Sequence, residues 1–336
     1  MIDELEGRQL FAALTAGKTV SFSLNTTTAK QATYTVSLKS GTSFIVAAGD
    51  TGSTSFAPEV ALINSAGTVV ASSSGDKGVY FSKTVPATGT YTVRVRDVGQ
   101  NQSGTVKLTA FYTGSTAVVD GDDAYTAQSG RRFAAGLEPG DLDVWKIDGK
   151  AGQFLSIVSA ENSVGSAFDI GVNLIGPDGK IITTKASETG IKIDQASIKA
   201  GTYYAVAYES GANDTGRYGI SFGQTPGVQY TGDPDTQSPL VSGQTRSGDL
   251  PGGDIDIFQL SLTAGKTINL TLARNGGTLD PEILIIDPTG KAVATSNGST
   301  STTLSYKTLT SGTYSILIRD READDGGLYK LTYKLT

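Results

Sequence analysis

The sequence predicts an all-β chain built as three tandem antiparallel β-sandwich domains, jelly-roll-like in kind. Three observations predict it. Apolar residues alternate with period two in many short runs, the pattern of a half-buried strand. Gly, Ser, Asn, Asp and Pro gather between those runs, with Gly at 42 of 336 residues, and no stretch reads as a convincing helix. The same ordered landmarks recur three times at a spacing of about 110 residues, the signature of a repeat architecture.

Each repeat carries the landmarks in the same order. First comes a strand–turn–strand: YTVSLKSGTSFIVAA from Tyr34, WKIDGKAGQFLSIVSA from Trp145 and FQLSLTAGKTINLTLA from Phe258, turning at Gly41, Gly152 and Gly265. Next is a hairpin whose tight turn holds Gly67, Gly179 or Gly290 between two apolar runs. A Gly-Thr-Tyr triplet follows 22 residues later, at Gly89, Gly201 and Gly312, and opens the alternating runs YTVRVRD, YYAVAYE and YSILIRD. Buried candidates from this alternation include Leu155, Ile157, Val172, Leu174, Tyr204, Val206, Leu270, Leu272, Ile283, Ile285, Ile316 and Ile318. Trp145 reads as a core residue because an aromatic side chain buries a large area. Seven or eight strands per repeat pack as two facing sheets. The domains are 1–114, 115–226 and 227–336, joined by the short linkers YTGSTAVVDGDDAYT and TPGVQYTGDPDTQSP.

Composition excludes much chemistry. There is no Cys, so disulfides, thiolate nucleophiles and Cys-ligated metals are absent. There is no His, which removes the commonest general base and the Ser-His-Asp triad. The formal charge is −6 and the longest basic run is Arg131-Arg132, so no nucleic-acid partner is expected. No apolar stretch has the length of a transmembrane helix, and the acidic start from Met1 to Glu6 is unlike a signal peptide. The Gly-rich segments are hairpin turns rather than phosphate loops, because no helix follows them. The chain is expected to be no enzyme.

The landmark order resembles the bacterial pre-peptidase C-terminal (PPC) domain family. The second repeat carries Gly140-Asp141-Leu142-Asp143-Val144-Trp145, Ala151-Gly152, Gly176-Pro177-Asp178-Gly179, Ala200-Gly201-Thr202-Tyr203-Tyr204 and Gly216-Arg217-Tyr218. The third carries Gly253-Asp254-Ile255-Asp256-Ile257-Phe258, Ala264-Gly265-Lys266, Asp287-Pro288-Thr289-Gly290, Ser311-Gly312-Thr313-Tyr314 and Gly327-Leu328-Tyr329. The resemblance implies a non-catalytic, exported β-sandwich. It also implies a likeness to the collagen-binding modules of clostridial collagenases, in which linker acids and strand-leading Asp residues bind calcium. The calcium ligands implied are Asp120, Asp122, Asp123, Asp141 and Asp143 in the second repeat, and Asp233, Asp235, Asp254 and Asp256 in the third. Calcium wants six to eight hard oxygens, and such an ion would cancel packed like charges and pin the linker. The competing reading makes Asp141 and Asp143 acceptors of backbone hydrogen bonds in turns.

The first repeat departs from the pattern. Aligning Gly7-Arg8-Gln9-Leu10 with Gly130-Arg131-Arg132-Phe133 leaves an insert near 18–28, and Ala32 stands where Asp143 and Asp256 stand. The insert TVSFSLNTTT alternates Val20, Phe22 and Leu24, which suggests an added edge strand that either covers its own sheet or pairs with another chain. A last acid cluster, Asp320, Glu322, Asp324 and Asp325, reads as a solvated hairpin loop rather than a metal or partner site at a sandwich tip; Asp97 and Glu209 hold the position of Asp320 in the other repeats.

Three functions are weighed. The leading one is an extracellular or cell-surface structural or adhesive protein stiffened by calcium. The second is a carbohydrate- or protein-binding accessory to a secreted enzyme. The third is a surface-layer or filament subunit that binds copies of itself by edge-strand pairing.

Overall fold

A computed structural model describes residues 12–52, 55–114, 126–162 and 168–336. The described residues hold strands, turns and bends and no helix. None of their segments is therefore a helix long and apolar enough to cross a membrane. The first sandwich comprises β1 (Ala12–Ala13), β2 (Val20–Leu24), β3 (Gln31–Leu38), β4 (Ser43–Asp50), β5 (Pro58–Ile63), β6 (Val69–Ser74), β7 (Gly78–Thr84), β8 (Gly89–Asp97) and β9 (Gly104–Tyr112). The second comprises β10 (Arg131–Leu137), β11 (Asp143–Gly149), β12 (Phe154–Glu161), β13 (Ile170–Ile175), β14 (Ile181–Ser187), β15 (Gly190–Gln195), β16 (Gly201–Glu209) and β17 (Gly216–Thr225). The third comprises β18 (Gln244–Leu250), β19 (Ile255–Leu262), β20 (Thr267–Arg274), β21 (Pro281–Ile286), β22 (Ala292–Asn297), β23 (Ser301–Lys307), β24 (Gly312–Asp320) and β25 (Gly327–Leu335).

Among the described residues strands pair only within their own sandwich, and each sandwich has the same two sheets. In the second these are β10-β17-β12-β15 and β11-β16-β13-β14; numbered within the sandwich, the orders are 1-8-3-6 and 2-7-4-5. That order is the jelly roll, two interlocked Greek keys. The third sandwich repeats it as β18-β25-β20-β23 and β19-β24-β21-β22. The first repeats it as β2-β9-β4-β7 and β3-β8-β5-β6, with β1 added in parallel to β3. Between each pair of sheets lies a separate apolar core, centred on Phe44, Val93 and Leu108, then on Trp145, Ile157 and Ile220, then on Phe258, Leu270 and Ile316.

The register corrects the reading of residues 18–28 as an insert. β2 is the ordinary first strand of its sandwich. Val20 pairs with Leu108 as Phe133 pairs with Ile220 and Arg246 with Leu331. The amides of Gly17, Gly130 and Gly243 donate alike to Ala110, Phe222 and Tyr333 of the neighbouring last strand. The first repeat instead has a longer path from its first strand to its second, Asn25–Lys30, closed by Asn25 Oδ1 accepting from the amides of Thr27, Thr28 and Ala29.

The register also shows which face buries two of the predicted residues, Val206 completely and Tyr204 in part. Along β16 the inward residues are Tyr203, Ala205 and Ala207. Tyr204 and Val206 point outward and are covered by the first sandwich, beside Ile45, Ala47 and Phe111. Both inter-sandwich contacts are of this kind, sheet against sheet. The outer face of the β4 sheet meets the outer face of the β11 sheet. The outer face of the β12 sheet meets that of the β19 sheet through Phe154, Val158, Ile255, Ile257, Leu284 and Leu317. Six sheets thus stack in series, at roughly 10 Å from one to the next.

Candidate functional site

The repeated Gly-Asp-x-Asp segment sits where two sandwiches meet, and each of its residues has a distinct task. Gly140 and Gly253 adopt φ of 76°, a region that favours glycine. A Cβ on Gly140 would lie 2.3 Å from the Lys107 carbonyl oxygen, and one on Gly253 would lie 2.4 Å from the Gly219 carbonyl oxygen, both on the preceding sandwich. Next, Asp141 Oδ1 accepts from the Leu142 amide at 2.8 Å and from the Thr19 hydroxyl of the first sandwich at 3.0 Å. Asp254 Oδ1 does the same with the Ile255 amide at 2.8 Å and the Ser221 hydroxyl of the second sandwich at 3.1 Å. These Asp residues therefore tie neighbouring sandwiches together.

The second Asp of the segment points into its own sandwich. Asp143 and Asp256 are fully buried. Tyr218 donates its hydroxyl to Asp143 Oδ2 at 2.5 Å, and Tyr329 donates to Asp256 Oδ2 at 2.5 Å. Trp145 Nε1 donates in turn to the Tyr218 hydroxyl at 3.2 Å, so the lone Trp lies in the core and also orients this pair. The first sandwich has neither partner. Ala32 pairs with Val95 as Asp143 pairs with Ala207 and Asp256 with Ile318. Val106 holds the position of Tyr218 and Tyr329. The sequence reading missed the two tyrosines as site residues. The signal was present in Gly-Arg-Tyr and Gly-Leu-Tyr, whose alternation aims both rings inward.

In the third sandwich the linker acids reach this position. The charges of Asp254 and Asp233 both act on the Asp256 carboxyl, while Asp233 accepts from the Asp235 amide at 2.9 Å and the Thr236 hydroxyl at 3.2 Å. Among the described residues no hydrogen-bond donor reaches Asp256 Oδ1. Burial, then Asp254 and Asp233, push the Asp256 carboxyl well above the ordinary carboxylate range, and the Tyr329 hydrogen bond opposes them. Burial pushes Asp254 up to about 6, against the hydrogen bonds from Ile255 and Ser221. A buried carboxylate oxygen without a donor, under the charge of two further carboxylates, carries an electrostatic cost that a hard cation would relieve, although among the described residues only Asp320, Asp324 and Asp325 bring three carboxylates within 4.8 Å of one another. Asp235 does different work: its Oδ2 accepts from the Asp249 amide at 2.7 Å and fastens the linker to β18. In the second repeat, Asp120, Asp122 and Asp123 lie outside the described residues, and the geometry there concerns Asp141 and Asp143 alone.

The second linker is fastened along its length. Gln153 Nε2 donates to the Pro226 carbonyl at 2.7 Å and Gln259 Nε2 to the Gly227 carbonyl at 2.7 Å. An open groove beside it is lined by Gln128, Gln153, Gln224 and Tyr230. Gln153 and Gln224 spend their amides on backbone carbonyls, Gln224 donating to Asp148 at 3.1 Å.

The C-terminal acid cluster has a structural explanation. Asp320 Oδ1 accepts from the amides of Glu322 and Asp324, and Oδ2 from Asp280. Asp97 and Glu209 cap their loops likewise, from Asn101 and from Gly211 and Asn213. Carboxylate oxygens of Asp320, Asp324 and Asp325 lie within 4.8 Å of one another. Both Asp320 oxygens have donors, as do both Asp233 oxygens.

No family model and no curated protein matches the chain. Among solved structures, one likeness is to Clostridium perfringens ZmpB, described as its M60 catalytic domain with the CBM51-1 and CBM51-2 domains. It has TM-score 0.21 and 10% identity, and covers 94% of this chain and 34% of that one. This chain therefore spans about a third of that protein. A second is to a triple jelly roll from the turret assembly of an archaeal virus, with TM-score 0.22 and 8% identity over 96% and 89% of the two chains. A third is to Sulfolobus turreted icosahedral virus, with TM-score 0.18 and 9% identity over 96% and 84%. Likenesses at this level carry no argument about function.

Proposed function

We propose that this chain is a non-catalytic structural protein of the extracellular space or cell surface, a PPC-like triple module whose sandwiches act as one stiff body. One observation supports this most: the same junction is built twice, from the same register positions. Gly140 and Gly253 close against the preceding sandwich, and Asp141 and Asp254 accept its hydroxyls. Gly78 and Gly190 press in turn against Ala212 and Ala323. An enzyme needs an acid, base or nucleophile at a substrate-sized site. Here Asp141 and Asp254 accept across the junctions, Asp97, Glu209 and Asp320 accept from loop amides, and Asp143 and Asp256 each accept from a core tyrosine.

The reading includes a divalent cation, calcium, beside the second junction. Asp233, Asp254 and Asp256 would hold it, and it would neutralise their charges and pin the second linker to the third sandwich. The test is thermal unfolding with calcium and with chelator, for the parent and for Asp256→Asn. Calcium should raise the parent's melting temperature and leave that of Asp256→Asn unmoved. No rise in the parent rejects the cation. Rapid cleavage of the native chain at 226–240 by a nonspecific protease rejects the stiff body.

A further inference from the structure

The face that holds the next sandwich is built differently in the third repeat. In the first two, the outer face of the β4 or β12 sheet is buried at a junction, and its centre is apolar: Ile45, Ala47 and Phe111, then Phe154 and Val158. At the corresponding register positions of the β20 sheet stand Asn269, Thr271 and Lys334. Lys307, Lys330 and Lys334 project from this face, all exposed, with exposed hydroxyls of Thr271 and Thr303 between them. Asp249 is the one acid among the described outward positions of this sheet. None of the three lysines forms an ion pair among the described residues. The face is thus a positively charged plane on a chain whose net charge is −6.

Its dimensions follow from strand geometry. Lys330 and Lys334 lie four residues apart on β25, roughly 13 Å, and β23 with Lys307 lies two strands away, roughly 10 Å. Solubility alone is served equally well by acids, which the rest of the surface prefers. A flat plane of ammonium groups and hydroxyls offers two things an extended acidic polysaccharide needs: counter-charges for its carboxylates and hydrogen-bond partners for its ring hydroxyls. We propose that the outer face of the β20 sheet binds a linear polyanionic polysaccharide through Lys307, Lys330 and Lys334.

The experiment is retention of the full chain on immobilised polygalacturonate and on neutral dextran at low salt, with phosphatidylglycerol vesicles as a third surface. The parent should be held by polygalacturonate, pass through dextran and elute as salt rises. The variant Lys307→Gln/Lys330→Gln/Lys334→Gln should bind on the order of tenfold more weakly, with unchanged melting temperature. Lys39→Gln/Lys83→Gln on the first sandwich should bind as the parent does. Three results would each overturn the proposal: no retention of the parent, equal retention of the triple variant, or binding of the parent to vesicles but not to polygalacturonate.

Discussion

The two junctions share a frame and differ in the chemistry at its centre. At the first, Tyr208 stacks on Tyr80 with ring centroids 3.8 Å apart and planes 2° from parallel, and Asn173 donates to the Tyr80 hydroxyl at 2.6 Å. The ring lies over Gly171, where a Cβ would come within 2.2 Å of it. At the second, the position of Tyr208 is taken by Arg319 and that of Gly171 by Glu282. Arg319 donates to both Asp194 oxygens, at 2.7 and 2.6 Å, to Glu282 at 2.7 Å and to Ser156 at 2.6 Å. Lys192 completes the group by donating to Glu282 at 2.9 Å. One geometry therefore accepts either an aromatic stack or a buried ion network. What the backbone demands is close approach at the glycines and an apolar surround.

The comparison breaks most visibly at Arg319. Arg319→Ala strands Asp194 and Glu282 in a buried site and should cost about 3–5 kcal/mol in denaturant unfolding. Grafting the first junction into the second, with Arg319→Tyr, Glu282→Gly, Leu284→Asn, Lys192→Tyr and Asp194→Ser, should recover most of that loss; no recovery would mean the frames are not equivalent. Tyr208→Ala should cost on the order of 3 kcal/mol, as loss of a buried aromatic does, and this cost should not change with salt. The Arg319→Ala cost should shrink modestly in high salt, because Asp194 is about a third exposed. Calcium at a hundred times its dissociation constant should add about 2.7 kcal/mol to the parent and nothing to Asp256→Asn, measured by calorimetry.

The smallest expected effect is in acid. Burial alone would raise the Asp194 carboxyl, but the hydrogen bonds and charge of Arg319 outweigh it and hold it below the ordinary value. Its contribution is therefore complete above the unfolded carboxylate pKa, about 4. It is lost as pH falls through the lower folded value. Acid titration should weaken the second junction below about pH 4, and the grafted variant should lack that response.

Much of the fold was legible because period-two alternation and turn glycines report strands directly. Leu155, Ile157, Leu270 and Ile316 lie in the cores that their alternation assigns. Val206 is buried and Tyr204 half-buried as alternation suggests, but against the neighbouring sandwich rather than in their own core; a strand buried on both faces gives no polar side to tell the two apart. The insert reading failed because Gly7-Arg8 and Gly17-Lys18 look alike as sequence; only pairing of Val20 with Leu108 selects the second. At the candidate site, the repeated Gly-Asp-x-Asp marks Asp254 and Asp256 in the sequence, and the acidic linker marks Asp233. The assignment of Asp141 and Asp254 to junctions was not. Their partners Thr19 and Ser221 belong to the preceding sandwich, and nothing in the local sequence announces them.

The central claim, that repeated junctions lock three jelly rolls into one body, has a direct test. The chain contains no Cys, so spin labels at Ser72→Cys and Thr303→Cys, both exposed, report one distance between the first and third sandwiches by pulsed electron resonance. A single narrow distribution, unchanged by viscosity and broadened by Arg319→Ala, is the result expected. A broad or multi-peaked distribution in the otherwise unaltered chain would contradict it.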